Sequence, residues 1–445
     1  MSRKNQILQI IPVALAIIFG VAVVFALGAD NADFADSADY LAAARMMVTN
    51  GTYPESGIIP VLRPPLYPGF IAIIWSIFPG SILAIKIGQV LLNATACWLV
   101  FKNAFLITKN QFLAFTAAMF FAVNPFFLYA AGAIQSESLQ IFLITFSIFL
   151  IVRMALSTRV TLKSAAIVGV SFGIAALCKP SALGVGGFLA VVLFAINRGQ
   201  TGSLIASAVI VTVMFMVILP WSFYNLKTKG EFILINDAGG YDLWAGNLPE
   251  SIKVFEGGFA SKADASLFEH YLGTTVTRAQ ISEFENTTGY SALSLKQRES
   301  LWLSKAIENA KSDPGVTVKL FAWKFYNLWK PYLSSIVYST KAVIVSAIFM
   351  GSLFVFGLFG ILKLRKDERT KNIAILFFAM AFVVTVIHVI ILSSLRLRLP
   401  YIDTFLTVFA GIGLGSLLLS GLEKLGIANL FGIPLMGMSG SLATE

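Results

Sequence analysis

The sequence predicts an all-α polytopic membrane protein of about ten transmembrane helices, with a helical lid formed by the first outer loop and a larger outer loop domain. Three observations carry this prediction. Of 445 residues, 57% are hydrophobic and only 13% charged, against about 25% charged in a soluble domain. Apolar stretches of about 18 residues or more recur along the chain, the length that a hydrocarbon core about 30 Å thick requires. The net charge of +10 is concentrated in alternate short loops, which is the signature of membrane topology and not of nucleic-acid binding. Cys97 and Cys178 both fall in apolar stretches, so no disulfide framework or zinc site is indicated, and two histidines, His270 and His388, exclude a His-rich metal site.

The apolar spans are expected at 7–27, 82–101, 112–130, 138–156, 162–178, 181–197, 203–221, 342–362, 372–392 and 402–420. The first follows Arg3 and Lys4, but its apolar run of about 20 residues exceeds the 7–15 of a signal-peptide core, so it reads as an uncleaved anchor. Alternation puts Arg3-Lys4, Lys102 to Lys109, Arg153, Arg159, Lys163, Arg198 and the dense Lys363–Lys371 cluster on one face, the cytoplasmic one by the positive-inside rule, with both termini. Three units follow: 1–221, an N-terminal transmembrane module whose first outer loop spans 28–81; 222–341, a large extracytoplasmic loop; and 342–445, a C-terminal transmembrane module with a cytoplasmic tail.

The outer face collects the unusual residues. Asp30, Asp33, Asp36 and Asp39 follow the first span, and Glu137, Lys179, Arg396 and Arg398 sit in or beside short turns. Single Lys or Arg residues at span ends commonly snorkel to the headgroups. Acids and bases delivered to one face by several distant segments point instead to a shared polar site. In the first outer loop, Asp36 or Ser37 can cap a helix through Tyr40, Leu41, Ala44 and Met47 that ends at Gly51. The run Arg63-Pro64-Pro65-Leu66-Tyr67-Pro68 is rigid and extended, and Phe70 to Phe78 is too short to span, so it belongs at the interface. The large loop ends in a basic aromatic stretch, Lys319 to Lys330 with Phe321, Trp323, Phe325, Tyr326 and Trp329, which reads as an interfacial anchor helix. No repeat, P-loop or dinucleotide fingerprint occurs.

The order of these features resembles the GT-C superfamily of integral-membrane glycosyltransferases, nearest its protein-mannosyltransferase-like and aminoarabinose-transferase-like branch. The features are Asp36-Ser37-Ala38-Asp39-Tyr40, the Arg63–Pro68 run, Glu137 in the next outer turn, Pro220-Trp221-Ser222-Phe223-Tyr224-Asn225 opening the large loop, Gly239-Gly240 and Gly246-Asn247 within it, and Arg396-Leu397-Arg398-Leu399-Pro400 before the last span. The resemblance covers about residues 7 to 420. It implies a sugar carried on a polyprenyl phosphate, such as undecaprenyl phosphate, and transfer on the extracytoplasmic face to a protein, glycolipid or polysaccharide acceptor. It implies an aspartate base matching Asp36 and a second acid matching Glu137. It also extends substrate contacts to Asp33, Asp39, Tyr40, Tyr67, Trp221 and Asn225. No nucleic-acid partner fits. Two departures bear on metal use and donor contacts: Ser37 stands where several relatives carry glutamate after the first aspartate, and Tyr224 precedes Asn225 where arginine is the pattern. No cofactor is obligatory in this reading, which leaves room for a divalent cation, Mg or Mn. The localisation expected is a bacterial inner membrane.

Such transfer needs a base for the acceptor proton, cations for the departing phosphate, and exclusion of water. A carboxylate in hydrogen-bond reach of the acceptor supplies the first, with Asp36 the choice and Asp33 and Asp39 the alternatives; a plain N-cap role for Asp36 would stabilise by about 1 kcal/mol. Arginine's planar fork suits phosphate oxygens, which nominates Arg63, Arg396 and Arg398, with Lys179 as a point charge. Arg396 and Arg398 would share a side in an extended turn but lie about 200° apart in a helix. His388 reads as a packing histidine. The competing class is a lipid or solute transporter or flippase, which would favour broken helices and ionisable groups near the bilayer midplane.

Overall fold

A computed structural model describes residues 3–425 apart from 33–35, 55–62, 158–159, 201, 250, 253–285, 287–288, 334, 336–337 and 366. The described residues are all-helical. The helices are α1 (Arg3–Ala26), α2 (Ser37–Asn50), α3 (Leu66–Ile77), α4 (Ile82–Thr108), α5 (Gln111–Ala122), α6 (Pro125–Gly132), α7 (Glu137–Ala155), α8 (Leu162–Cys178), α9 (Ser181–Ile196), α10 (Ser203–Lys229), α11 (Gly239–Ala245), α12 (Leu295–Ser312), α13 (Pro314–Trp329), α14 (Thr340–Leu364), α15 (Glu368–Ile390), the single turn α16 (Leu395–Arg398) and α17 (Thr404–Lys424). A π-helical turn at Leu399–Asp403 joins the last two.

Seven helices among the described residues are long and apolar enough to cross a membrane. Counted as one broken span, the pair α5 and α6, bent by 51°, brings the number to eight. The bend has a local cause: the Asn124 side chain accepts from the Phe126 and Phe127 N–H groups and Pro125 opens the new helix, so one helix stops and another starts in two residues. The expectation of ten spans also counted 162–178 and 181–197; these are helices α8 and α9, apolar but shorter than the seven. The chain is an integral membrane protein.

Polar residues that a bilayer core would penalise are buried between helices and pin the chain where it turns. Gln89 on α4 donates to the carbonyls of Ala131 and Ala133 at 2.9 and 2.8 Å, and accepts from the Tyr67 hydroxyl at 2.6 Å. These bonds fix α3 and the turn that precedes Glu137 onto one helix. On that turn rests α2, where the Ser37 hydroxyl donates to the Ile134 carbonyl at 2.9 Å. Helices α14 and α17 touch backbone to backbone: a Cβ on Gly360 would lie 2.0 Å from the Phe409 oxygen, so only glycine fits there.

The large loop folds back over α15. Gly240 lies against the backbone of α12, Tyr241 packs edge-on and Trp244 tilted against Trp302, and a Cβ on Gly246 would come 2.0 Å from the Ile391 oxygen. Lys324 on α13 completes the clamp, donating to Asn247 Oδ1 and to the Ile390 and Ile391 carbonyls at 2.7, 3.1 and 3.2 Å. A cation at a helix C-terminus is favourably placed against the helix dipole.

Candidate active site

At the end of the bundle where α2, α11 and the α8–α9 turn meet lies a cavity of about 420 Å³, lined by five charged residues: Asp36, Arg63, Lys179, Asp242 and Arg396. Six charges form one alternating chain. Asp39 Oδ2 faces Arg63 Nη2 at 2.9 Å, and the same nitrogen reaches Asp36 Oδ1 at 3.1 Å. Asp36 Oδ2 accepts from Arg396 Nη2 at 2.5 Å, Arg396 Nε lies 3.1 Å from Glu137 Oε1, and Lys179 Nζ closes the series on that oxygen at 2.7 Å. Three acids and three bases thus balance to zero.

The local sequence explains each placement. Asp36 stands at the N-cap of α2, yet its side chain makes no capping bond; both oxygens are engaged by guanidinium groups instead. Burial pushes its proton affinity up, but Arg63 and Arg396 overcome this and hold the carboxyl well below the usual carboxylate range. Pro64 and Pro65 stiffen the chain that presents Arg63. Pro180, following Lys179 at the C-cap of α8, prevents the helix from continuing, so the lysine turns into the cavity. Ser394 caps the turn α16 by accepting from the Arg396 N–H.

The remaining expected residues divide. Tyr40 lines the cavity and donates toward Ser136 Oγ at 3.5 Å. Tyr67 is buried on Gln89. Trp221 and Asn225 donate to the carbonyls of Ile235 and Ile233, so they hold the start of the large loop and do not line the cavity. Asp33 and His270 lie outside the described residues. Arg398 is placed elsewhere: residues 395–398 are helical, which turns the two arginines apart, and Arg398 is fully buried on Asp403 at 2.8 Å and the Leu328 carbonyl at 2.7 Å. His388, expected as a packing residue, does line the cavity, with Nδ1 3.2 Å from the Leu392 carbonyl.

Asp242 had no place in the sequence reading. Its only signal was an acid framed by Gly239-Gly240 and Gly246-Asn247, the glycines that let α11 seat on its neighbours. Burial, with Glu299, Asp36 and Asp237 adding to it against Arg63, raises its pKa to about 7.

A second cavity of about 340 Å³ is mostly apolar, lined by residues that include Phe126, Tyr129, Glu137, Leu333, Ala342 and Val345, and it shares Arg396 with the first. The chamber that holds most of the charges and this second one therefore meet at Arg396. Among the described residues no three His, Cys, Asp or Glu side chains are grouped to ligate a metal ion. The cavity acids Asp36 and Glu137 are already taken by arginine and lysine, so this donor set does not fit a divalent cation.

A family model described as dolichyl-phosphate-mannose-protein mannosyltransferase matches residues 62–224, less than half of the chain. No curated protein matches. Among solved structures, the oligosaccharyltransferase AglB from Archaeoglobus fulgidus, in complex with an inhibitory peptide and a dolichol-phosphate, superposes at a TM-score of 0.57 and 14% identity, covering 99% of this chain and 53% of its own. The same organism's oligosaccharyltransferase tethered to an acceptor peptide gives 0.55 at 15% identity, covering 98% and 52%. ArnT from Cupriavidus metallidurans bound to undecaprenyl phosphate gives 0.42 at 12% identity, covering 96% and 81%. The chain has the GT-C type of membrane fold, and it spans about half the length of the oligosaccharyltransferases it matches.

Proposed function

We propose that this chain is a glycosyltransferase that moves a sugar from a polyprenyl-phosphate carrier to an acceptor hydroxyl on the extracytoplasmic side of a membrane. The observation that carries the proposal is the alternating chain from Asp39 to Lys179, gathered from four distant segments beside an apolar chamber. A lipid phosphate needs cations at the membrane surface and an apolar trough beside them; Arg396, common to both cavities, stands at that boundary. The matching family model and the dolichol-phosphate bound by AglB support the same chemistry.

In this reading the phosphate takes over Arg63 and Arg396, with Lys179 adding a point charge, and the prenyl tail lies in the apolar cavity along α6 and α14. Guanidinium forks that match the phosphate oxygens lower the barrier by stabilising the charge that grows on the leaving phosphate. As the arginines turn to the phosphate, Asp36 regains a free oxygen that accepts the hydrogen bond of the acceptor hydroxyl. Glu137 keeps Arg396 and Lys179 aimed into the cavity. The charges cluster at helix ends, which favours a surface reaction over the transporter alternative.

The test is release of free polyprenyl phosphate in proteoliposomes supplied with a panel of polyprenyl-phosphate sugars and membrane extract as acceptor. Wild type should release it with at least one donor. Asp36→Asn, eluting as a folded protein, should not. Equal release by both would refute the assignment.

A further inference from the structure

Asp242 differs from every other acid of the cavity. The six-membered chain is neutral and its members occupy one another. Among the described residues the Asp242 side chain has no hydrogen bond or ion pair, and it is only part-buried, open to the chamber. Packing holds it there: Gly240 and Gly246 press α11 against α12 and α15, Glu299 Oε1 accepts from the Gly240 N–H at 2.7 Å, and Tyr241 and Trp244 anchor on Trp302. An unpaired carboxylate out of bulk water is costly unless it is protonated or meets a ligand.

Charge bookkeeping then becomes decisive. Free lipid phosphate, the product of transfer, carries more negative charge than the phosphodiester donor into a chamber whose arginines and lysine are already balanced. An ionised Asp242 would be a further uncompensated negative charge beside it, so binding of the free lipid phosphate is favoured by one proton on Asp242. Resting on the function proposed above, we propose that Asp242 is a second substrate-contacting acid, ionised while the sugar-bearing phosphodiester occupies the arginines, the place where the proton released by the acceptor hydroxyl comes to rest, and protonated while the free lipid phosphate left by the transfer still occupies them. In the transfer step the acceptor oxygen bonds to the anomeric carbon. The bond from that carbon to the phosphate oxygen breaks with its electron pair staying on the phosphate, and the hydroxyl proton, aligned by Asp36, ends on the Asp242 carboxylate. Atoms and charge balance without a co-reactant.

The groups facing Asp242 are Asp36 and Arg63 from the first loop, Asp237 before α11, Glu299 on α12, Lys179 at the end of α8, His388 on α15 and Arg396 on α16. The two arginines hold Asp36 ionised, and Glu299 is committed to the α11 N-terminus. The Asp242 pKa of about 7 fits a group that changes protonation under ordinary conditions.

The experiment measures thermal stabilisation of the purified full chain by undecaprenyl phosphate between pH 6 and pH 8.5, for wild type, Asp242→Asn and Asp242→Glu. One linked proton makes the lipid concentration for half-maximal stabilisation of wild type rise toward tenfold per pH unit above about 7, on top of the titration of the phosphate itself. Asp242→Glu should keep that dependence. Asp242→Asn should lose it and bind more tightly than wild type at pH 8.5. Parallel pH curves for all three proteins would overturn the role of Asp242 alone. No stabilisation of any of them at any pH would overturn the proposed function together with it.

Discussion

Arg396 and Arg398 stand two residues apart on the same helical turn and live in opposite chemical settings. Arg398 is fully buried; its guanidinium meets Asp403, the Leu328 carbonyl and the Met350 sulfur, and stacks 5.1 Å from the Phe354 ring. Arg396 is 17% exposed at its side chain and bridges Asp36 and Glu137 at the junction of two cavities. A sealed pair is architecture: removing one partner strands a buried charge. A pair that opens on a cavity can exchange its partner for a ligand. The difference teaches that charge type and spacing do not assign a role; access does.

The largest effect belongs to Asp36→Asn. Loss of the acid should lower turnover by about 10²- to 10⁴-fold, while lipid phosphate binds more tightly than in wild type, because the carboxylate no longer competes for Arg63 and Arg396. Steady-state release assays and lipid titrations check the two halves. Next comes Arg398→Ala, which should cost about 3–5 kcal/mol by leaving Asp403 unpaired. It should show as a lowered melting temperature in detergent, largely restored by the double change Arg398→Met with Asp403→Leu. A melting curve like that of wild type would place the two arginines in the same class.

Gly246→Ala tests the roof of the site. The added methyl would sit 2.0 Å from the Ile391 oxygen and must shift α11 with Asp242. Turnover should fall by up to about a hundredfold, the usual scale for a displaced contact. The smallest effect is on stability. Asp242 has a folded value of about 7, above the unfolded value of about 3.9. The native state therefore binds the extra proton between these values, and its stability falls as pH rises from about 4 to about 7. Asn lacks that loss, so unliganded Asp242→Asn should melt a few degrees above wild type at pH 8 and converge with it near pH 4.

Much of the fold was legible. Apolar length located each of the ten stretches that are helical, because the bilayer requirement is local to each segment. The bend at Val123–Asn124 was within reach, since Asn124-Pro125 is a cap followed by a first-turn proline. At the site, Asp36, Glu137, Lys179 and Arg396 were nominated by sidedness and Arg63 by its guanidinium, and the structure brings them together. Arg398 was misjudged because its environment depends on the helical turn at 395–398 and on Asp403, a partner five residues ahead. Asp242 and His388 could not be weighted, since their access to the cavity arises from how α11 and α15 pack, which no local pattern encodes.

The open charge chain is proposed above as a lipid-phosphate site. Its most direct test is the shift in melting temperature produced by undecaprenyl phosphate in wild type, Asp36→Asn and Arg396→Ala at one pH. A ligand that binds only the native state raises the melting temperature in proportion to its occupancy. Wild type should be stabilised, Asp36→Asn more so, and Arg396→Ala not at all. Equal stabilisation of all three, or of none, would contradict it.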